Sequence, residues 1–168
     1  MFKYAVLLLG SASAAMSDVQ LIKDGEGYRS CTYRDTKNIR TVCYGFNLER
    51  GSTARNEVTK AGGNYDNLMA GGCTTQAVCD KLLDAEVASA RAIGNQVVGN
   101  VGCSAAQAVV TDLSYNLGKA GISQFKKFKA NLLAHNWSGA AAELQNSAYC
   151  GQVGRRCTRN MNQIKECK

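Results

Sequence analysis

Eight cysteines restrict the folds open to this chain of 168 residues more than any other feature. They are Cys31, Cys43, Cys73, Cys79, Cys103, Cys150, Cys157 and Cys167. In an exported protein an even number of cysteines predicts disulfides, here up to four. A metal site is disfavoured because no two cysteines have the close spacing of zinc ligands and the chain has one histidine. A nucleophilic cysteine paired with His135 is disfavoured as well, since an oxidised cysteine is no nucleophile.

The first residues of the chain have the pattern of an export signal. Lys3 precedes an apolar run at residues 4–9, and small residues follow at 12–15 in the arrangement of a cleavage site. The run is too short to span a bilayer. We therefore expect residues 1–15 to be a signal peptide and the mature protein to be secreted, either outside the cell or to a digestive or phagocytic compartment.

The composition is that of a globular protein with an excess of positive charge. Hydrophobic residues make up 45% and charged residues 20% of the chain, which excludes intrinsic disorder. Lys and Arg number 20 against 13 Asp and Glu, which gives a formal net charge of +7. This charge predicts attraction to a polyanion such as nucleic acid, an anionic membrane or an acidic cell-wall polymer.

The residue types divide the mature chain into a short β-type part and a longer helical part. Residues 31–46 are rich in β-branched and aromatic side chains around a polar turn, which predicts a hairpin. We expect one α+β domain over residues 16–168. Its β-lobe would cover about 28–72 and its helical lobe about 73–168.

Capping residues predict where the helices of the second lobe begin. Thr74 or Thr75 precedes a long stretch with apolar side chains at helical spacing. Ser104 followed by Gln107 has the pattern of a capping box that opens a second helix. Ser123 is predicted to cap a third helix.

Two carboxylates and a threonine are the candidates for chemistry. Glu26 lies between Gly25 and Gly27, Asp35 follows nine residues later in the hairpin turn, and Thr41 lies on the returning strand. Two carboxyl groups across a gap are what glycosidic cleavage requires, because one donates a proton to the leaving oxygen while the other stays ionised. Spacing alone favours the ordinary interpretation, a turn aspartate and an exposed glutamate.

The residues around these candidates reverse that preference. The segment Asp24–Asn47, DGEGYRSCTYRDTKNIRTVCYGFN, closely resembles the catalytic region of phage-type lysozymes, glycoside hydrolase family 24. The family pattern is E-G, then Y-x-D, then T-x-G-x-G. Glu26, Asp35 and Thr41 match its catalytic trio, and Gly45 matches its last glycine. The resemblance implies a lysozyme-like fold with the active-site cleft between the two lobes.

One position departs from the family pattern. Cys43 stands where the family usually has the first glycine of T-x-G-x-G. We expect a disulfide through Cys43 to hold the strand there, and Cys31 is the partner considered.

The resemblance continues through the second half of the chain. Ser114–Gly118 resembles the family's S-F-x-(N/Q)-x-G helix end, and Asn136–Ala142 resembles the start of its next helix. Arg155-Arg156 resembles its late double-arginine segment. The similarity therefore covers most of residues 18–165 in the family's order.

Two residues of the helical lobe gain roles from this resemblance. It implies that Asn116 lines the cleft and binds Glu26 or the substrate; a structural amide is the alternative. It implies that Arg156 is a charge partner of Glu26. Because a cation lowers the pKa of a carboxylic acid and opposes proton donation, a mainly architectural role for this pair stays open. Arg159, one helical step further, is interpreted as basic surface.

The activity implied by the resemblance is hydrolysis of the β-1,4 bond between N-acetylmuramate and N-acetylglucosamine in bacterial peptidoglycan. Glu26 would be the general acid, and Asp35 with Thr41 would position and activate water, with inversion at the anomeric carbon. We expect no cofactor and no metal ion. The basic surface would hold a monomeric enzyme on anionic cell walls in a salt-dependent manner.

Two other functions stay open at this stage. A chitinase-like enzyme would use the same carboxylates on a neutral polymer. A cationic antimicrobial protein would disturb membranes without catalysis, although an ordinary solvated helix face explains the basic run at 126–129 better. Nucleic-acid binding is not expected because the sequence has no recognisable motif for it, and membrane insertion is not expected because no other segment is apolar enough to cross a membrane.

Overall fold

The computed structural model describes residues 15–168, so the predicted signal peptide lies outside the described residues except for Ala15. The elements are α1 (Asp18–Glu26), β1 (Arg29–Arg34), β2 (Arg40–Cys43), β3 (Phe46–Asn47), α2 (Ser52–Ala61), α3 (Tyr65–Met69), α4 (Gln76–Val97), α5 (Ser104–Ile122), α6 (Lys126–Leu133), α7 (Trp137–Gln145), α8 (Ala148–Val153) and α9 (Arg155–Lys165). A small antiparallel sheet is followed by helices, which confirms the predicted α+β class.

Helix α1 ends at Glu26. It begins with a capping box, in which the Ser17 hydroxyl accepts from the backbone N–H of Gln20 and the Gln20 side chain accepts from the N–H of Ser17. Gly27, with a φ of +72°, ends the helix. Glu26 is therefore carried on the last turn of a well-capped helix.

The three strands lie in the order β1-β2-β3, and both pairs are antiparallel. The middle strand β2 is buried at Thr41 and Val42. Thr41 pairs with Tyr33 on one side and with Asn47 on the other. The turn between β1 and β2 therefore brings Asp35 back to the strand that carries Thr41.

Buried hydrophobic side chains form two clusters. The first packs the sheet and α2 against α4 as far as Val87, and the second packs α5 against the helices that follow it. On α1, Ile22 belongs to the first cluster and Leu21 to the second. On α4, Ile93 and Val97 pack against the second cluster. Helices α1 and α4 thus contribute to both clusters, and the predicted bounds of the two lobes stay a prediction.

Four disulfides join all eight cysteines. The pairs are Cys31–Cys73, Cys43–Cys79, Cys103–Cys167 and Cys150–Cys157. The expected pairing of Cys43 with Cys31 is wrong. Cys43 lies opposite Arg29 in the register and turns into the core, where α4 presents Cys79. Cys31 is exposed and lies beside Cys73 at the outer edge of β1.

Two of the expected helix caps are also wrong. The N-cap of α5 is Cys103, and Gln107 instead accepts a hydrogen bond from the backbone N–H of Val101. Ser123 is the C-cap of α5, and the next helix begins only after Phe125. The expectation that Thr74 or Thr75 caps α4 is confirmed for the second of the two. Within residues 15–168, none of the helices combines the length and the hydropathy that crossing a membrane requires.

Candidate active site

The carboxylate of Glu26 is held by one of its two oxygens. Oε1 accepts a 2.6 Å hydrogen bond from Nη1 of Arg156. Oε2 makes no hydrogen bond within the described part of the chain, and it faces Gly45, where an added Cβ would lie 3.5 Å away. The Glu26 side chain is 22% exposed and that of Arg156 only 8%. A carboxyl group fixed at one oxygen and open at the other is suited to donate a proton.

Arg156 is shared between two carboxylates. Its Nε and Nη2 donate to the two oxygens of Asp112 at 3.1 and 2.8 Å. Asn160 donates a further 2.7 Å hydrogen bond to Asp112, which is completely buried. Burial lowers the pKa of Arg156, but the hydrogen bonds and charges of Asp112 and Glu26 raise it above its ordinary value. The guanidinium is therefore a permanent cation.

Asp35 and Thr41 are both oriented by the backbone of Ile39. Asp35 Oδ1 accepts from the backbone N–H groups of Lys37 and Ile39 at 2.8 and 2.9 Å. The Thr41 hydroxyl donates to the carbonyl oxygen of Ile39 at 3.1 Å. Among residues 15–168, Asp35 Oδ2 has no hydrogen-bond partner. Within these residues the Thr41 hydroxyl accepts no hydrogen bond either, so both side chains keep a free acceptor.

Tyr33 relates the two carboxylates to each other. This residue of β1 pairs with Thr41 in the sheet. Burial raises the pKa of the Tyr33 phenol; Arg29 lowers it, and the charges of Glu26 and Asp35 raise it further. The Tyr33 phenol is therefore near enough to both carboxylates for each charge to act on it.

A cavity of about 350 Å³ is lined in part by Gly45, the residue that Glu26 Oε2 faces, although Glu26 itself is not part of its wall. Its wall includes Gly45, Arg50, Glu57, Glu86, Ser114, Tyr115 and Gly118. Glu86 forms an ion pair with Arg50 at 3.2 Å and lies 3.2 Å from the Tyr115 hydroxyl. Burial raises the pKa of Glu86, although Arg50 and Tyr115 lower it. The cavity therefore lies between the segment that follows β2, helix α2 and the helices α4 and α5.

Asn116 is exposed on α5, two residues before the non-helical Gly118. In the described part of the chain it forms no hydrogen bond with Glu26. The residue before it, Tyr115, contacts the site instead, with its hydroxyl 3.1 Å from the carbonyl oxygen of Tyr44. The expected contact of Asn116 with substrate stays a prediction.

The interpretation of Arg159 as basic surface is wrong. Its side chain is 18% exposed, donates to the carbonyl oxygen of Leu21 at 2.8 Å and forms an ion pair with Asp24. Arg156 and Arg159 therefore fasten α9 to the end of α1 that carries Glu26.

Sequence reasoning missed Asp112 and Asn160. Asp112 lies between the buried residues Thr111 and Leu113 on a largely apolar helix, and a charge at such a position requires a buried partner. That signal was available in the sequence, but the identity of the partner was not. Among residues 15–168, no group of three or more His, Cys, Asp or Glu side chains could hold a metal ion.

An α+β fold with a glutamate at a helix end and an aspartate in the hairpin turn that follows contains the two carboxyl groups that a glycoside hydrolase needs. A family model described as phage lysozyme matches residues 23–159, which include all the predicted site residues. This match covers more than half of the chain, and the protein belongs to the phage lysozyme family. Membership implies a glycoside hydrolase of the lysozyme type. A search of curated proteins gave no match.

Proposed function

We propose that the protein is a secreted lysozyme that hydrolyses the β-1,4 bond between N-acetylmuramate and N-acetylglucosamine in bacterial peptidoglycan. The observation that carries the proposal is the state of Glu26. One of its oxygens is fixed by Arg156, and the other has no hydrogen-bond partner among residues 15–168 and faces Gly45, which lines a cavity. The four disulfides support export, because such bonds form in oxidising compartments.

In the proposed reaction the glycosidic C–O bond breaks as Glu26 Oε2 gives its proton to the leaving oxygen. Positive charge then builds on the anomeric carbon and ring oxygen, and the carboxylate of Asp35 stabilises it. A water that donates hydrogen bonds to Thr41 and Asp35 attacks the anomeric carbon and passes a proton to Asp35. The configuration at that carbon inverts, and both carboxyl groups exchange protons with solvent before the next turnover.

The hydroxyl of Thr41 is suited to hold this water. Because its proton is used in the hydrogen bond to the Ile39 carbonyl, its lone pairs are left to accept from the water. Asp35 Oδ1 is used by two backbone N–H groups, which leaves Oδ2 for the second hydrogen bond. A water held by two acceptors presents its own lone pair to the sugar.

The wall polymer is favoured over neutral chitin by charge. The chain has 20 basic against 13 acidic residues, and anionic bacterial walls attract such a surface until salt screens it. Membrane disturbance is less favoured, because one lysine of the basic run, Lys129, donates to the carbonyl oxygen of Val97. That lysine is tied to α4 and is not part of a free cationic face.

The test compares purified mature protein with its Glu26→Gln variant in clearing a peptidoglycan suspension, with the new reducing ends identified. Glu166→Gln, the same change at an exposed residue, is the matched control. We expect muramate ends from the parent and the control and none from Glu26→Gln. Equal clearing by all three proteins would remove Glu26 from the reaction. Cleavage of chitin alone would identify the neutral-polymer enzyme, and killing retained by Glu26→Gln would support the non-enzymatic function.

A further inference from the structure

Asp112 is a buried charge that the proposed reaction does not use. It lies on α5 with none of its surface exposed. Its Oδ1 accepts from Nη2 of Arg156 at 2.8 Å, and its Oδ2 accepts from Nε of Arg156 at 3.1 Å and from Asn160 at 2.7 Å. A buried carboxylate costs several kcal/mol unless it is paired, so Asp112 depends on Arg156 as its partner.

We propose that Asp112 is a positioning residue of the lysozyme reaction, which holds the Arg156 guanidinium against Glu26 and balances its charge so that Glu26 keeps the proton it donates. Asp112 acts only through Arg156 and does not touch the substrate. The inference rests on the proposed role of Glu26 as the general acid.

The geometry of the guanidinium supports the positioning role. The group is planar and rigid, and Asp112 takes the edge formed by Nε and Nη2. The direction of the remaining nitrogen, Nη1, is thereby fixed toward Glu26 Oε1 at 2.6 Å. Gly25 makes room for this plane, because a Cβ there would lie 3.0 Å from both Cζ and Nε of Arg156. The acid is thus oriented by a group that is itself held on two sides.

The charge balance supports the second part of the role. A single cation in contact with a carboxyl group favours its ionised form, which is the wrong form for a proton donor. Asp112 carries one negative charge and Arg156 one positive charge, so Glu26 faces a neutral pair. The geometry therefore keeps the orienting hydrogen bond, while the charge of Asp112 partly offsets the effect of the cation on Glu26.

Other charged or titratable groups around Glu26 come from every element packed near it. They are Asp35 after β1, Tyr33 on β1, Glu86 on α4, Asp112 and Tyr115 on α5, Tyr149 on α8 and Arg156 on α9. Burial raises the pKa of the three phenols, so they are neutral near pH 7. Glu86 is paired with Arg50. Replacing Asp112 by asparagine therefore changes one charge in an otherwise constant set.

The experiment measures the pH dependence of kcat and KM on soluble peptidoglycan fragments for the parent and Asp112→Asn. The asparagine keeps an oxygen for Arg156 but leaves the cation unbalanced. We expect the alkaline limb of kcat to move to lower pH by about one unit, with little change in KM. Thr111→Val, a buried polar substitution at the neighbouring position of the same helix, should leave the limb in place.

A second measurement does not depend on catalysis. The carboxyl carbon of Glu26, assigned by its absence in Glu26→Gln, is titrated by NMR in the parent and in Asp112→Asn. Its midpoint should move to lower pH with the kinetic limb. An unchanged midpoint and an unchanged limb in a folded variant would overturn the inference. If the parent fails to cleave peptidoglycan, the proposed function fails, and the NMR titration alone decides whether Asp112 governs the proton of Glu26.

A double variant covers the case in which Asp112→Asn does not fold. Asp112→Asn with Arg156→Gln removes both buried charges together and leaves no unpaired cation. Its Glu26 midpoint should lie at or above that of the parent, because the cation that favours the ionised form is gone. A midpoint below that of the parent would overturn the inference.

Discussion

The two carboxylates of the site are positioned by different kinds of contact. Asp35 is held by the backbone N–H groups of Lys37 and Ile39, which belong to its own turn. Glu26 is held by Arg156, which lies 130 residues away in the chain. The aspartate side is therefore built from local backbone geometry, and the glutamate side depends on how the helices pack.

This difference predicts two kinds of mutational response. On the aspartate side, a substitution that keeps the turn should change activity and leave stability nearly unchanged. On the glutamate side the same buried groups orient the acid and join α1, α5 and α9, so activity and stability should fall together.

The largest effect on stability is expected for Arg156→Met. It leaves Asp112 buried without a cation, and breaking a buried pair in this way costs about 3–5 kcal/mol of unfolding free energy. Urea unfolding followed by circular dichroism measures the loss. Arg155→Met, at the exposed neighbouring position, should stay within about 0.5 kcal/mol of the parent. An Arg156→Met protein as stable as the parent would contradict the expected link between activity and stability on the glutamate side.

Asp35→Asn should separate activity from stability. The amide oxygen still accepts from the N–H groups of Lys37 and Ile39, so we expect a stability change below about 1 kcal/mol. The loss of the charge and of the base should reduce the rate on the order of 10³-fold. Asp84→Asn, on the exposed face of α4, is the control and should be fully active. A large drop in Tm would mean that the aspartate side is not locally determined.

Thr41→Val should give a smaller loss, because it removes one hydrogen bond to a neutral water. We expect activity to fall about tenfold, which corresponds to about 1.4 kcal/mol. The Ile39 carbonyl keeps its hydrogen bond from the N–H of Asp35, so no buried acceptor is left unpaired. Thr41→Ser retains the hydroxyl and should recover most of the rate. A rate for Thr41→Val equal to that of the parent would exclude the threonine from holding the water.

The smallest expected effect concerns the backbone at Cys43, which has a φ of +62°. Glycine adopts this conformation freely, whereas other residues lose about 1 kcal/mol there. With the disulfide removed, Cys43→Gly/Cys79→Ala should therefore be more stable than Cys43→Ala/Cys79→Ala by about 1 kcal/mol. Equal unfolding free energies for the two double variants would show that the disulfide imposes this conformation on the strand.

The same contrast explains how much could be predicted from the sequence. Local features could be predicted: the turn around Asp35 and the spacing of Glu26, Asp35 and Thr41 depend only on residues close together in the chain, and the sequence motifs include those residues. The class of fold followed in the same way, from the change between β-type residues and helical spacing. Because these features depend on neighbouring residues, the sequence alone was enough to predict them.

The contacts that were missed or misassigned depend on the packing of distant segments. Asp112 and Asn160 meet Arg156 only because α5 and α9 pack together, and Arg159 reaches Asp24 only because α9 lies beside α1. The pairing of Cys43 was misjudged for the same reason. The true partner, Cys79, depends on the face that β2 turns toward α4, which the sequence does not show.

The disulfide between Cys103 and Cys167 closes a covalent ring, and the two cysteines are 64 positions apart in the sequence. Asp112 and Arg156 both lie inside this ring, and Glu26 lies outside it. When the oxidised protein unfolds, the aspartate and the arginine stay confined in one loop and meet again at a high effective concentration. The buried pair can therefore reassemble as a unit, and α1 needs only to dock its glutamate onto a partner that is already in place.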